Sequence, residues 1–361
     1  MWTEKTTRTG EVSRREVLGA VGLALASPFV LRRDAWAEGK SINVGVYVGN
    51  SGEIIKKYVV PGFEAKYRCK VNTTSGLTLT QINTMRVQHD NPQYSVMCID
   101  DSAVPVAKAE DLIVELTDEM IPNAKNVFAR FRLSHGLAYA ASACGLFFNP
   151  SMNEPLQSYE ELWLPRWRKQ IITRDPANTM SVFTSIMAAS VALGKPFSVA
   201  QYELDKAWPK LAELKPNLLT VFTESTQAML VVQGQASYGG VETSKTVYPL
   251  MRRGASMDLC YPKEGAFGLV NCMIMVKNGP QPELSAAFID WTLERDVQRT
   301  LGEKEWSGPT VSGLEFAEGV AKRLPYPETK MEAMNLFVPD WTFLNGKRAE
   351  IIEKLNGVFK G

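Results

Sequence analysis

Three successive strand–turn–helix units near the amino-terminal end constrain the fold of this chain more than any other feature of its sequence. In the first unit, an apolar segment at residues 42–48 is followed by a turn of small residues at 49–52 and by a stretch with helical apolar spacing at 54–63. Two further units, at residues 69–88 and 94–109, repeat this plan. Alternating strands and helices are typical of α/β proteins with a mostly parallel sheet. In such sheets, ligands bind beyond the carboxyl ends of the strands.

The size and charge of the chain exclude several functional classes. A length of 361 residues predicts roughly two domains. The 40 basic and 39 acidic residues give a formal charge of +1, which lacks the basic excess typical of nucleic-acid-binding proteins. The chain has only two histidines, His89 and His135, and neither stands in a metal-binding motif. We therefore expect no nucleic-acid partner, no metal site and no other cofactor.

The first 37 residues have the three parts of an export signal. Arg14-Arg15 precedes a short apolar stretch at 19–31, and Ala35-Trp36-Ala37 is a cleavage site of the Ala-x-Ala type. The apolar stretch is shorter than the roughly 20 residues of a membrane-spanning helix. The segment resembles a twin-arginine (Tat) signal peptide, which implies the Tat export machinery as a partner. We expect cleavage before Glu38 and a soluble protein in the periplasm. A chance arginine pair before an amphipathic helix is the alternative.

The five cysteines do not determine a disulfide pattern. They reach an oxidising compartment if the chain is exported, but their odd number leaves at least one thiol unpaired. One structural disulfide and five buried free thiols are therefore two open interpretations.

Two extended segments predict connections between two lobes. The first spans residues 137–149 and is mostly apolar, and the second spans residues 259–265 and leads into a strand at 272–276. Between them, residues 151–220 are richer in Trp and Pro and contain several helical patterns. The chain is thus predicted to cross twice between two α/β parts.

Several motifs in this order resemble those of a known family. They are Asp-Asp-Ser at 100–102, the segment 137–149, Tyr-Gly-Gly at 238–240, Tyr-Pro-Lys-Glu-Gly at 261–265 and the stretch at 275–293. Together they resemble the periplasmic substrate-binding proteins of ABC transporters, in particular the group that includes polyamine, ferric-iron and phosphonate binders.

This resemblance implies a two-lobed periplasmic-binding-protein-like fold of type II, in which two α/β lobes close over one solute. We expect the first lobe to comprise residues 38–145 with about 265–305, and the second to comprise residues 146–264 with about 306–361. The resemblance also implies a monomer that delivers its solute to the permease subunits of an ABC transporter.

Turns at the predicted helix starts supply the first group of candidate ligand-binding residues. Ser51, Ser75 and Ser102 each follow a predicted strand, and Thr179 and Ser181 begin a predicted helix of the second lobe. Free backbone N–H groups and the positive end of a helix dipole bind anions at such positions. Serine and threonine are also ordinary N-caps, so helix capping alone is the alternative interpretation.

Charged and aromatic residues near strand ends supply the second group. Carboxylates at these positions would pair with a solute amine, basic residues would pair with a solute anion, and aromatic rings would pack against the solute. The alternative for each is a cap, a solvated surface charge or core packing. Arg174, Lys245, Lys263 and Tyr238 are the further members of this group. The predicted ligand-binding residues are Tyr47, Asn50, Ser51, Ser75, Asp100, Asp101, Ser102, Thr179, Ser181, Glu242 and Phe267.

Differences between this sequence and the family pattern narrow the chemical class of the expected solute. Ferric-iron binders present adjacent tyrosines, and this chain has no Tyr-Tyr pair, which disfavours iron. The turn at 49–52 has no tryptophan, and Val241 precedes Glu242, so a polyamine is less favoured but stays open. We expect a small polar solute that is anionic or zwitterionic, with Asp100 and Glu242 facing any cationic part.

An exported enzyme and a solute sensor are the alternative functions. The sequence contains no Gly-x-Ser-x-Gly elbow, no Ser-x-x-Lys pair and no phosphate-binding glycine loop, and two histidines leave few ways to build a catalytic triad. We therefore expect no enzymatic activity. A sensor that uses the same two-lobed fold is the third class, because fold alone does not determine function.

Overall fold

The computed structural model describes residue 37, residues 39–223 and residues 228–360. Apart from Ala37, the predicted export signal lies outside the described residues, so the signal and its cleavage site stay predictions. Within the described residues, the architecture is mixed α/β with two lobes, as predicted from the alternating strands and helices.

The described residues form ten strands in a single mixed sheet. These are β1 (Ser41–Val46), β2 (Lys70–Ser75), β3 (Val96–Asp100), β4 (Arg132–Leu133), β5 (Gly136–Phe148), β6 (Ile171–Arg174), β7 (Leu218–Phe222), β8 (Tyr238–Thr243), β9 (Asp258–Cys260) and β10 (Phe267–Met275). Their order is β2–β1–β3–β10–β5–β8–β6–β7, and β4 and β9 also pair with β5.

Helices connect the strands. In the described chain they are α1 (Asn50–Ile54), α2 (Val60–Tyr67), α3 (Thr78–Val87), α4 (Val104–Ala109), α5 (Met180–Leu193), α6 (Phe197–Ala200), α7 (Ala207–Leu214), α8 (Met229–Val232), α9 (Ser244–Arg252), α10 (Pro282–Thr292), α11 (Arg295–Glu305), α12 (Glu318–Ala321), α13 (Glu328–Ala333), α14 (Trp341–Gly346) and α15 (Arg348–Lys360). A π-helical turn (Ile55–Val59) joins α1 to α2. The three predicted strand–turn–helix units are therefore confirmed.

Parallel strands bring the ends of β1, β2 and β3 to one edge of the first lobe. β1 and β2 are parallel with Val46 opposite Ser75, and β1 and β3 are parallel with Val44 opposite Val96. This pairing is the expected result of helical crossovers between successive strands. The second lobe is built in the same way, because β6 is parallel to both β7 and β8.

Two antiparallel strands carry the sheet from one lobe to the other. β5 has thirteen buried residues and pairs with β10 near its start and with β8 and β9 near its end. This confirms the predicted crossing at 137–149. The predicted crossing at 259–265 is wrong, because Leu259 and Cys260 pair with β5 inside the second lobe. The chain then turns, with the Gly265 N–H bonded to the Pro262 carbonyl, and crosses in β10 instead.

Each lobe has its own apolar core. Buried side chains of the first core come from β1 to β3, from α10 and α11, and from residues 311–336. The second core includes Phe183, Phe197 and Phe267, whose rings stack, and also Trp341 and Leu344 from α14. The residue boundaries predicted for the two lobes stay a prediction.

All five cysteines are free thiols, and four of them are buried. Burial raises the pKa of the Cys98 thiol to about 12, so this side chain stays protonated. Of the two interpretations of the cysteine pattern, the structure has the one with five free thiols.

Among the described residues, no helix is both long and apolar enough to cross a membrane.

Candidate ligand-binding cleft

The edge of the first lobe begins with a tight turn after β1. Gly49 has a φ of +76°, in the left-handed region that favours glycine. A Cβ atom at Gly52 would lie 1.8 Å from the carbonyl oxygen of Tyr47, so only glycine allows the helix to begin this close to the strand. The two glycines therefore place Asn50 and Ser51 directly beyond the end of β1.

Asp100, at the end of β3, is the centre of a hydrogen-bond network on this edge. Its Oδ1 accepts from the Tyr47 hydroxyl at 2.9 Å and from the Asn271 amide at 3.0 Å. Its Oδ2 accepts from the Thr78 hydroxyl at 2.9 Å. Burial and the Asp100 carboxylate raise the pKa of Tyr47 well above its usual value, so the phenol stays a neutral donor. Three neutral groups thus hold one carboxylate.

The edge of the second lobe carries an ion pair instead. Arg174, at the end of β6, pairs with Glu242 in β8, and both side chains are buried. The second Glu242 oxygen accepts from the Thr243 N–H at 2.8 Å. The Arg174 guanidinium also lies 4.5 Å from the centroid of the Phe222 ring. Every charge in this group is thus paired before any solute binds.

Lys245 connects the two edges. Its ammonium donates to the Asn271 amide oxygen and, at 2.9 Å, to Glu305 Oε1. Lys245 lies at the start of α9 in the second lobe, and Glu305 ends α11, whose apolar side chains pack in the first core. Because Asn271 also bonds to Asp100, a continuous polar chain runs from the first lobe through the crossing strand to the second lobe.

A cavity of about 730 Å³ lies between the lobes, next to this row of hydrogen-bonded polar side chains. Asn50 lines it from the first lobe, and one face of α9 lines it from the second. Its basic lining residues are Lys245, Arg252, Arg253 and Lys304, and its apolar lining residues are Met229, Pro249, Leu250 and Trp306. No described acidic residue lines it. Its electrostatics therefore favour an anion.

A second cavity, of about 670 Å³, lies elsewhere in the molecule. Its lining comes from the turn after α5, from Glu264 and from residues 335–337, and includes no residue at the carboxyl end of a parallel strand. Because ligands of open α/β sheets bind at those strand ends, we take the cavity between the lobes as the candidate site.

The structure brings some of the predicted site residues together. Tyr47 and Asp100 bond directly, and Asn50 lines the cavity. Glu242 lies on the facing edge but is occupied by Arg174. Ser51 is half-buried beside Asn50, and the exposed Ser75 hydroxyl accepts from the Lys56 ammonium at 3.0 Å.

Asp101 and Ser102 contact a C-terminal helix. Asp101 is buried and accepts a hydrogen bond from the Trp341 indole at 2.9 Å. The Ser102 carbonyl accepts from the Asn345 amide at 2.7 Å. Burial, together with the neighbouring Asp100 carboxylate, raises the pKa of Asp101 to about 8. These two residues therefore tie β3 to α14.

The other predicted residues take part in local structure. Phe267 is fully buried in the aromatic stack of the second core, because its place in β10 faces α5 and α6 rather than the cavity. The Ser181 hydroxyl lies 2.7 Å from the carbonyl oxygen of Pro176. Thr179 precedes α5, but the cap bond to the Met180 N–H comes from the Asn178 side chain.

Sequence reasoning missed several residues of this cleft. Asn271 is the one with a recognisable signal, because an amide in the otherwise apolar strand β10 needs a buried polar partner. Thr78, Glu305 and Lys304 carry no such signal, since their position depends on how distant helices pack. Among the described residues, no group of three potential metal ligands lies together.

A family model described as bacterial extracellular solute-binding protein matches residues 96–342, which is more than half of the chain. This chain belongs to that family. A curated relative, the spermidine/putrescine-binding periplasmic protein of Escherichia coli (strain K12), is 21% identical over 202 residues. That match covers 56% of this chain and 51% of the relative. The chain thus spans about half the length of the curated relatives it matches.

Solved structures of this fold cover nearly the whole chain. An ABC transporter protein from Clostridium perfringens has a TM-score of 0.76 and 20% identity, and the match covers 88% of this chain and 99% of that one. The periplasmic binding protein AfuA from Actinobacillus pleuropneumoniae, solved with fructose-6-phosphate, has a TM-score of 0.66 and 17% identity. This match covers 89% of this chain and 99% of AfuA. These similarities confirm the two-lobed fold.

Proposed function

We propose that this protein captures one small polar solute with an acidic group in the cavity between its lobes and delivers it to the permease subunits of an ABC importer. One observation carries the proposal: four basic side chains, and no described acidic one, line a cavity that a first-lobe residue and a second-lobe helix share. Cavities of this size bind small molecules.

The pairing of the carboxylates supports an anionic rather than a cationic solute. Glu242 is neutralised by Arg174, and Glu305 by Lys245. Asp100 already accepts three hydrogen bonds. A cationic solute would have to displace one of these partners, whereas an anion meets cavity cations directly. A zwitterion would add contact between its amine and the partly exposed Asp100.

A polyamine is the second candidate solute. The curated relatives are named spermidine/putrescine-binding periplasmic proteins, and each lobe edge carries one carboxylate, Asp100 on the first and Glu242 on the second. The solved structure of AfuA with fructose-6-phosphate is a precedent for a sugar phosphate on the same fold. The basic lining of this cavity favours an anionic solute over a polyamine.

Binding without turnover is part of the proposal. The family consists of solute-binding proteins. His89 is exposed, His135 is half-buried, and neither lines the cavity. A nucleophile activated by an imidazole would need one of them beside the bound solute. Chemical conversion of a bound solute would contradict this part.

Export to the periplasm through the Tat machinery completes the proposal, and the exported protein is proposed to be a monomer. The proposal of export rests on the arginine pair and the Ala-Trp-Ala motif of the sequence. Replacing Arg14 and Arg15 with Lys should retain the protein in the cytoplasm. Unchanged export, or a mature amino terminus far from Glu38 in peptide mass mapping, would contradict it.

Native mass spectrometry of protein purified without refolding is the primary test of the solute class. We expect a co-purified solute with at least one acidic group. In thermal-shift measurements, an anion at one hundred times its Kd should stabilise the fold by about 2.7 kcal/mol. Stabilisation by spermidine, with none by phosphate esters or carboxylates, would favour the polyamine.

A pair of variants locates the site. Lys245→Gln should weaken binding of the co-purified solute, because Lys245 lines the cavity. The matched control is Lys263→Gln, because Lys263 is exposed and lines only the second cavity. Circular dichroism must show that both variants are folded. Equal affinity of both variants would place the site elsewhere.

A further inference from the structure

We infer that the solute is an elongated dianion, with two acidic groups at opposite ends of a body that has an apolar side. This inference rests on the proposed function and adds a second anion subsite, formed by Arg252 and Arg253 at the carboxyl end of α9, to the one at Lys245.

The two basic ends lie along one helix face. Lys245 and Arg252 are seven residues apart in α9, which is about two turns, so their side chains lie on the same side of the helix. Seven residues correspond to about 10 Å along the helix axis. A solute that meets both residues therefore needs acidic groups separated by a similar distance.

The wall between the two ends is mostly apolar. On α9, Pro249 and Leu250 line the cavity between Lys245 and Arg252, together with Thr246, whose hydroxyl bonds to that of Thr243. Met229 and Trp306 add further apolar lining. Polar groups of the solute would lose hydration there without gaining partners. The middle of the solute should consequently place carbon atoms, rather than charged groups, against this wall.

Two of the basic residues that line the cavity, Arg252 and Lys304, contact aromatic rings rather than carboxylates. The Arg252 guanidinium lies 5.7 Å from the centroid of the Trp306 ring, and the Lys304 ammonium lies 5.8 Å from that of the Tyr58 ring. Within the described parts of the chain, Arg252, Arg253 and Lys304 form no ion pair. Lys245, in contrast, pairs with Glu305.

This difference assigns separate roles to the two ends. A cation–π contact orients a cation without neutralising it. The Arg252 end of the cavity therefore keeps its full attraction for an anion. Arg252 and Arg253, two positive charges without a carboxylate partner among the described residues, favour a negatively charged group at the carboxyl end of α9. At the other end, Lys245 already pairs with Glu305. This end adds one more contact for an anion and connects the solute to the polar chain that runs between the lobes through Asn271.

Isothermal titration calorimetry with two matched probe pairs tests the inference. The pairs are octanedioate with octanoate, and nonanedioate with nonanoate, each pair having two carboxylates against one on a carbon chain of the same length. In the unmodified protein, the dianion of at least one pair should bind about tenfold more tightly than its partner. The double variant Arg252→Gln/Arg253→Gln should weaken binding of the dianions more than binding of the monoanions and so reduce this ratio to near one.

Arg299→Gln is the matched control, because Arg299 lies on α11, is exposed, pairs with Asp296 and does not line the cavity. It should preserve the dianion preference. Monoanions and dianions that bind equally, or a preference that survives in the double variant, would overturn the inference and leave the proposed function intact. Absence of binding by both dianions at millimolar concentration would also overturn it. A co-purified solute without any acidic group would overturn the proposed function itself.

Discussion

The two edges of the cleft hold their buried charges in different ways. On the first lobe, a single carboxylate, Asp100, accepts hydrogen bonds from neutral groups. On the second lobe, the Glu242 carboxylate is neutralised by a buried guanidinium, that of Arg174. A hydroxyl or amide donor can be replaced or rotated, whereas a buried charge that loses its partner has no alternative. The first edge should therefore tolerate change better than the second.

Breaking the ion pair of the second lobe should have the largest effect. Arg174→Met leaves Glu242 charged and buried, and we expect a loss of about 3–5 kcal/mol in the free energy of unfolding. Urea denaturation followed by circular dichroism measures this loss. The double variant Arg174→Met/Glu242→Leu removes both charges and should recover most of the stability.

The control for this experiment is Arg168→Met, an exposed arginine of the same lobe, which should change stability by less than about 0.5 kcal/mol. If Arg174→Met is no more destabilising than this control, the pair is not the buried interaction that distinguishes the second edge.

Neutralising the first edge should cost less. Asp100→Asn keeps an oxygen for the Tyr47 and Asn271 donors, and the Thr78 hydroxyl can reverse to accept from the new amide. We expect a loss of about 1–2 kcal/mol, measured in the same urea titration. Asp90→Asn, at a fully exposed side chain, is the control. A loss as large as that of Arg174→Met would erase the contrast between the edges.

A pH titration sharpens the comparison at Asp101. Because its pKa in the folded protein is about 8, above its unfolded value, the folded state holds a proton that the unfolded state releases. The contribution of Asp101 to the free energy of unfolding is therefore fully present below about pH 4. It falls as the pH rises and levels off above about pH 8. Asp101→Asn should remove that dependence.

The measurement is the stability difference between Asp101→Asn and the unmodified protein, which should move in favour of the variant by about 1 kcal/mol between pH 7 and pH 8. Melting temperatures in buffers matched for ionic strength suffice. The variant Asp118→Asn, at an exposed carboxylate, provides the reference slope. Parallel pH profiles for Asp101→Asn and the unmodified protein would show that Asp101 is ionised at neutral pH.

The fold was predictable from local patterns, and the site was predictable only in part. Strand and helix periodicity, with turns at 49–52 and 100–102, predicted the parallel edge that holds Tyr47 and Asp100. No local pattern places Glu305 beside Lys245 or Lys304 in the wall of the cavity, because both positions depend on packing between segments about 60 residues apart. The positions of the serines after predicted strands or at a predicted helix start favour anion binding. The hydroxyl of Ser181, however, is occupied by carbonyl oxygens of its own turn.

The late entry of β10 into the first lobe also has a consequence for the order of folding. This strand lies between β3 and β5, although the whole sheet of the second lobe is encoded before it. During synthesis, β3 must therefore wait with one side unpaired until residue 275 has left the ribosome. An unpaired strand edge is a template for aggregation. The four residues Val96 to Ile99, all buried in the finished sheet, form the strand edge that stays open during this interval.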